Sequence, residues 1–303
     1  MLELIKNLAQ DAKDEISDCI DAFKGKPVKG HGEFSKRIKH RHCLFWESPE
    51  AEIIRNTVMK ASDSLDKWKD ANNWQRKLSN KDNAREFAKK HGCQVPELYW
   101  RGRNINEINF TAFPDQFVLK PTIGHSSKLV FLMHNERNLM NNLSYSKEEL
   151  IEIMAKALEQ NSYLQFIIEE FVRSEQGDFK IPADYKFHTF KGEIAAINVI
   201  HRFANKKGFM RAYDENWNVI TDLGTDFPQG PYQSPPACLE KMKMHAKELS
   251  KAYEIYVRID FYATDKGAVF GEFTPTPSAG NYYTLEADKL LVKYWNKYCK
   301  RMI

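Results

Sequence analysis

Apolar residues at Leu2, Ile5, Leu8, Ile16, Ile20 and Phe23 recur at a helical spacing, which predicts one amphipathic helix over residues 1–24. A Gly/Pro/Lys stretch at 25–32 breaks it. Helical patterning returns over 49–74, where Ile53, Ile54, Val58, Met59, Leu65 and Trp68 can form an apolar stripe. Near residue 80 the texture changes. Asn80 can cap a helix running to Lys90, Gly92 can end it, and from Val95 short β-rich runs alternate with turn residues. Residues 117–120 and 129–133 read as short strands around the turn-rich 121–128, residues 147–159 as a helix, and 164–172 as a strand. A last helix is expected over 285–302, packed on the rest of the chain. The pattern is that of an α+β protein with a loose boundary near residue 80.

Two hairpins can be placed in more detail. Lys191-Gly192 sits between β-patterned arms in 184–202 as a two-residue turn, glycine supplying positive φ. In 258–274 the three-residue loop Asp265-Lys266-Gly267 does the same. If that loop is symmetric about Lys266, Asp260 lies opposite Glu272 and Arg258 opposite Thr274, and all four side chains point to one face.

Composition adds boundaries. The 303-residue chain carries 45 Lys and Arg against 41 Asp and Glu, a formal charge of +4, with 42% hydrophobic and 28% charged residues. These are globular values, and the charge excess is too small to imply a nucleic-acid partner without a concentrated basic face. The densest basic stretch, 36–42, is short and reads as a solvated face. The six tryptophans follow apolar patterns or turns instead of interleaving with Lys and Arg. The N-terminus lacks an apolar signal-peptide core, and no run approaches the roughly 18 apolar residues of a membrane span, so no stable membrane insertion is expected. Five scattered cysteines without a CxxC pair fit a reducing, cytoplasmic compartment, and His40, His42 and Cys43 lack a fourth metal ligand.

Asp260 and Glu272 facing each other on neighbouring strands would repel unless a cation or a shared proton lies between them. A divalent metal answers this; so does Arg258 bridging the acids, and the spacing leaves both readings open. Magnesium with phosphate and water ligands suits two carboxylates better than a closed protein cage does. Phe117-Val118-Leu119-Lys120-Pro121 ends a buried strand on a lysine, which can snorkel to solvent or reach a phosphate. The loop after it holds Gly124, Ser126, Ser127 and Lys128, whose N–H, hydroxyl and ammonium donors suit phosphate oxygens. It is neither a Walker loop nor GxGxxG. The apolar strand that closes on Ile167-Ile168-Glu169-Glu170-Phe171-Val172 offers a slot, an acceptor and a backbone donor to an adenine ring.

In this order the pieces resemble the ATP-grasp superfamily, and within it the TupA-like branch linked to teichuronopeptide and cell-surface polysaccharide synthesis. The similar residues are LSNKDNAREFAKKHG from Leu78, FVLKP from Phe117, IIEEFV from Ile167, DYKFHTFKG from Asp184, RAYDENWNVI from Arg211 and VRIDFYATDKGAVFGEFTPTPSAG from Val257. The resemblance implies an ATP-grasp fold whose two α+β lobes clasp ATP, with an N-terminal helical region at 1–77, a small lobe with the phosphate loop at 78–165 and a metal-bearing lobe at 166–303. It implies that Lys81 and Lys120 contact ATP phosphates and that the loop from Gly124 to Lys128 closes over them. Glu169 resembles the acceptor for the adenine amino group, Phe171 and Val172 the adjoining strand end with its backbone contact, and Glu175 a ribose ligand. Lys186 would sit near the transferred phosphate, Asp260 and Glu272 would hold Mg2+, and Arg258 would neutralise charge on the acyl phosphate and the intermediate after it. Two departures stand out: Thr274 replaces the asparagine many ATP-grasp enzymes use as a third metal ligand, and His125 and Leu129 replace smaller residues in the phosphate loop.

The implied reaction is an ATP-dependent carboxylate-amine ligation, with ATP and Mg2+ as cofactors and a carboxylate and an amine donor as substrates, on a surface-glycan precursor if the branch likeness extends to substrate. The same grip on ATP serves a kinase acting on a hydroxyl, and a non-catalytic nucleotide-binding module is the reading from another class. His188, His201, Arg202 and Arg211 are candidates for the substrate pocket, and Ser278 to Gly280 for a substrate-side loop.

Overall fold

The computed structural model describes residues 32–124, 127–204 and 207–300; the helix expected over 1–24 lies outside them, as does Ser126. Helix α1 (Glu33–Glu47) opens the described chain, its first-turn amides on Phe34 and Ser35 each donating at 3.0 Å to the carboxylate of Asp288. The apolar stripe expected over 49–74 divides into two short helices, α2 (Ala51–Asn56) and α3 (Leu65–Trp68). Ile54, Met59 and Trp68 are buried, whereas Ile53, Val58 and Leu65 are exposed. The reason is local: Thr57 ends α2 in a non-helical conformation, so one face cannot run through.

Helix α4 (Lys81–Lys90) begins where the sequence places it. The Asn80 side chain accepts from the Asp82 amide, and Gly92 follows the helix with φ +73°. Its first amide, on Lys81, donates to the Thr122 carbonyl at 2.8 Å, fastening the helix to the chain that leaves the FVLKP strand.

Two six-stranded sheets follow, every pair antiparallel. The first comprises β1 (Leu98–Gly102), β2 (Gln116–Pro121), β3 (Phe131–His134), β4 (Arg137–Asn138), β5 (Leu143–Ser144) and β6 (Phe166–Glu170), in the order β1-β6-β2-β3-β4-β5. Strand β6, at which the expected C-terminal lobe begins, is thus an inner strand of the first sheet, between β1 and β2. Phe117, Leu119, Phe131, Met133 and Ile168 cover one face with α5 (Lys147–Gln160), which starts on a capping box between Ser146 and Glu149. Val118, Lys120 and Glu169 lie on the opposite face, because side chains alternate along a strand.

The second sheet contains β7 (Asp184–Phe190), β8 (Glu193–Ala204), β9 (Lys207–Tyr213), β10 (Val219–Ile220), β11 (Tyr256–Thr264) and β12 (Gly267–Thr274), in the order β10-β9-β8-β7-β11-β12. Lys191 and Gly192 form the β7-β8 turn, both with positive φ (51° and 97°), as the sequence predicts. One face packs against α4 and α6 (Leu239–Tyr253) around Phe187, Val199, Leu249, Ile259 and Phe270. The other face is shared. Toward Phe190 and Tyr256 it is covered by α1 and α7 (Leu285–Tyr298), through Phe34, Leu291 and Trp295; toward Asp184 it carries polar groups. Among the described residues no helix is long and apolar enough to cross a membrane, and Cys43, Cys93, Cys238 and Cys299 are free thiols.

Candidate active site

The register of β11 on β12 sets Asp260 opposite Glu272 and Arg258 opposite Thr274, as expected, though by a different route. The turn itself is only Asp265 and Lys266, which alone would pair Asp260 with the wrong partner. A bulge at Gly271 restores the offset, since Phe261 pairs with Phe270 while Asp260 pairs with Glu272. Glycine fits closely there: an added Cβ would stand 3.0 Å from the Asp260 carbonyl and 3.1 Å from the Tyr262 ring, so these neighbours would have to shift by a few tenths of an ångström.

A row of polar side chains therefore crosses the second sheet. Asn198 on β8 faces Lys186 on β7, which faces Asp260 on β11, which faces Glu272 on β12. Asp260 is 1% exposed and fully engaged: Arg258 donates to its two oxygens at 2.8 and 2.9 Å, and Lys186 makes a short contact with Oδ2. Burial would push this carboxyl up, but Arg258 and then Lys186 outweigh it and hold the group below the usual carboxylate range. Burial likewise works against the Arg258 charge, and Asp260 more than offsets it. Arg258 also donates to the Thr274 hydroxyl at 2.9 Å and approaches Glu272 at 3.7 Å. Arg258 thus stands between the two acids. Glu272, with 38% of its side chain exposed, keeps its oxygens free of any closer described cation.

The next residues along the same face complete the site. Asp184 pairs with Arg202 and lies 3.5 Å from Lys186. His188, opposite Arg258, is buried, and its Nδ1 lies 3.0 Å from the Tyr256 hydroxyl. Burial, and then the Arg258 charge, push its pKa down to about 3, so the imidazole is neutral at pH 7. Arg202 and His188 thus reach the polar face. His201 bonds Gln233, and Arg211, opposite Val199, falls on the other face.

On the first sheet, Lys120 contacts Glu169 at 2.5 Å, and Arg85 from α4 reaches the other carboxylate oxygen at 3.2 Å. Glu169 is 3% exposed. Phe171 packs with Leu132 and Met140 in an apolar cluster that Val118 and Val130 flank, while Val172 is buried beside it in sequence. Glu175 lies in the loop beyond, its carboxylate accepting from the Ala237 amide at 2.9 Å. Lys81 links the two sheets. It forms no ion pair with a described residue, and desolvation lowers its pKa; among the charges it feels, Glu272 and Glu169 oppose that lowering and Lys120 adds to it. Gly124, Ser127 and Lys128 lie exposed on the β2-β3 connection and bond neither lysine.

The described residues contain no cluster of three or more His, Cys, Asp or Glu able to hold a metal. Two facing carboxylates and the Thr274 hydroxyl are hard oxygen donors that suit magnesium supplied with phosphate and water ligands, provided Lys186 or Arg258 yields an oxygen of Asp260. Sequence reasoning missed Arg85, Asp184 and Asn198. Arg85 stands four residues after Lys81, on the same helix face, and Asn198 is the only polar residue between Ile194 and Ile200.

Two antiparallel sheets with flanking helices, and facing carboxylates and lysines on them, define the ATP-grasp class. The chain belongs to the TupA-like ATP-grasp family, whose model matches residues 62–295. No curated protein matches. Among solved structures the chain is similar to a D-alanine–D-alanine ligase from Bacillus anthracis (18% identity, 75% of this chain, 69% of that one, TM-score 0.48). It is also similar to an L-amino acid ligase from Bacillus licheniformis (12%, 78% and 57%, TM-score 0.47) and a D-alanine–D-alanine ligase from Helicobacter pylori (18%, 73% and 61%, TM-score 0.43). The chain spans less than two thirds of the length of the last two. The family assignment rests on the family model.

Proposed function

We propose that this chain is an ATP-dependent carboxylate-amine ligase that makes an amide through an acyl phosphate, working in the cytoplasm on a surface-glycan precursor that receives an amino acid or amino sugar. The observation that carries the reading is the row Lys186–Asp260–Glu272 with Arg258 beside it, on the sheet face toward Lys81. The glycan follows from the family resemblance alone, and the compartment from the scattered cysteines without a CxxC pair.

In this reading the lobes are 78–165 and 166–303, preceded by the helical region 1–77. The adenine ring enters the slot beside Phe171 and Val172, its amino group donating to Glu169, and Glu175 takes the ribose. Glu169 now serves Lys120 and Arg85, so nucleotide entry frees Lys120 for the phosphates, where Lys81 joins it. Gly124, Ser126, Ser127 and Lys128 close over them and exclude water from the reacting oxygens. Magnesium, held by Asp260 and Glu272 with Thr274 as a weak third ligand, supplies charge screening on the phosphates. A substrate carboxylate oxygen attacks the terminal phosphorus and ADP leaves, with Lys186 holding the transferred group. The amine nitrogen then attacks the acyl carbon, phosphate departs, and the nitrogen gives up its proton to solvent or phosphate. Arg258 stabilises the oxyanion between these steps. His188, with a pKa of about 3, is too weak a base to take that proton.

The test is product analysis with ATP, magnesium and pools of carboxylates and amines. Equimolar ADP, free phosphate and a new amide are expected. Phosphate retained on a hydroxyl acceptor would make the chain a kinase, and nucleotide binding with no turnover on any pool would favour a non-catalytic module.

A further inference from the structure

Lys186 has acceptors on both sides, and only one side is in use. Toward β11 its ammonium contacts Asp260; along its own strand it lies 3.5 Å from Asp184, which Arg202 already holds. Toward β8 the residue directly across is Asn198, 8% exposed, whose Oδ1 is buried without a hydrogen-bond partner among the described residues. The Asn198 amide nitrogen donates weakly to the Met210 sulfur at 3.7 Å, and sulfur accepts only, which fixes the amide with its oxygen free. A buried acceptor without a donor is costly, and in a strand reading IAAINVI an apolar residue would avoid that cost.

We infer that Asn198 is a positioning residue that receives the Lys186 ammonium when Asp260 turns to a metal, an inference that rests on the proposed metal site. Arg258 holds both Asp260 oxygens in a fork whereas Lys186 holds Oδ2 alone, so a divalent cation arriving at Asp260 displaces Lys186 more readily than Arg258. Glu272 lies beyond Asp260, where the metal itself would sit, and Asp184 is committed to Arg202. His188 is neutral and engaged with Tyr256, and Arg258 is a cation that repels the ammonium. Asn198 is the free neutral acceptor that remains. Held there, the lysine stays on the face where the transferred phosphoryl arrives, and no charge is added beside the metal.

The experiment titrates Mg2+ by calorimetry into full-length protein saturated with β,γ-methylene-ATP, using wild type, Asn198→Leu and Asn198→Gln. Thermal melts of each free protein accompany the titrations. Leucine removes the orphan acceptor at similar volume, so the free variant should melt no lower than wild type. Its complex should nevertheless bind Mg2+ about tenfold more weakly, the worth of one charge-assisted hydrogen bond. Analogue binding without metal should be unchanged, and glutamine should restore most of the Mg2+ affinity. Equal Mg2+ affinity in Asn198→Leu and wild type would overturn the inference, as would a lowered melting temperature with analogue binding lost in parallel, which marks a structural residue. A wild type that binds no analogue would instead remove the ligase reading, and this inference with it.

Discussion

The two sheets solve the same electrostatic problem in different ways. On the first, Glu169 is 3% exposed and closed on both oxygens by Lys120 and Arg85, one carboxylate against two cations. On the second, Asp260 is as deeply buried and as fully engaged, yet the row around it is unfinished: Glu272 is half-open and Asn198 has a free oxygen, although the three carboxylates of Asp184, Asp260 and Glu272 meet the three cations of Lys186, Arg202 and Arg258. A closed cluster keeps a fold together, whereas an unfinished one has capacity for a ligand. In the proposed function the nucleotide must open the first cluster, whereas the second already presents a half-open carboxylate and a free amide oxygen.

Variants should separate them. The largest loss of stability belongs to Glu169→Ala, which leaves two nearly buried cations without their carboxylate. An unfolding free energy lower by about 3–5 kcal/mol is expected in urea titrations. A loss below about 1 kcal/mol would show that the first cluster is not the closed structural unit described. Asp260→Ala should cost less, about 2–3 kcal/mol, because the Asn198 oxygen remains to accept from Lys186 and Glu272 and Thr274 from Arg258. It should abolish the effect of magnesium on nucleotide affinity, which Glu169→Ala should leave intact in whatever fraction stays folded.

A pH experiment sharpens the contrast within the second sheet. His188 has a folded pKa of about 3 against about 6.5 when unfolded. Between these values the unfolded chain binds the extra proton, so stability rises with pH through this window and is lost as pH falls from 6.5 toward 3. His188→Gln, which does not titrate, should flatten that part of the stability profile and leave the neutral region unchanged. An identical acid limb in both proteins would contradict the buried, neutral imidazole.

Much of the second sheet was legible because hairpins are local. Lys191-Gly192 announces its turn, and RIDFY facing GEFT sets the carboxylates opposite each other within fifteen residues of chain. Even there the reasoning reached the right register through a symmetric three-residue loop, while the chain uses a two-residue turn and a bulge at Gly271; two single-residue offsets cancelled. What brings Lys186 against Asp260 is a strand pairing 74 residues apart in sequence, and no local signal carries it. The Arg85 contact to Glu169 is hidden for the same reason, depending on how α4 docks beside the first sheet. The stripe over 49–74 failed because helical periodicity continues across Thr57 whereas the backbone does not.

Glu272→Ala should change stability least, by less than about 0.5 kcal/mol, since its carboxylate is half-open and its nearest described cation is 3.7 Å away. That makes it the cleanest probe of the ligand-binding row. The most direct measurement is calorimetric ATP binding with and without magnesium by wild type and Glu272→Ala. The account predicts wild-type binding that magnesium strengthens about tenfold or more, and a fully folded variant in which that gain is gone. ATP binding by the variant with the magnesium gain intact, or no ATP binding by folded wild type, would contradict it.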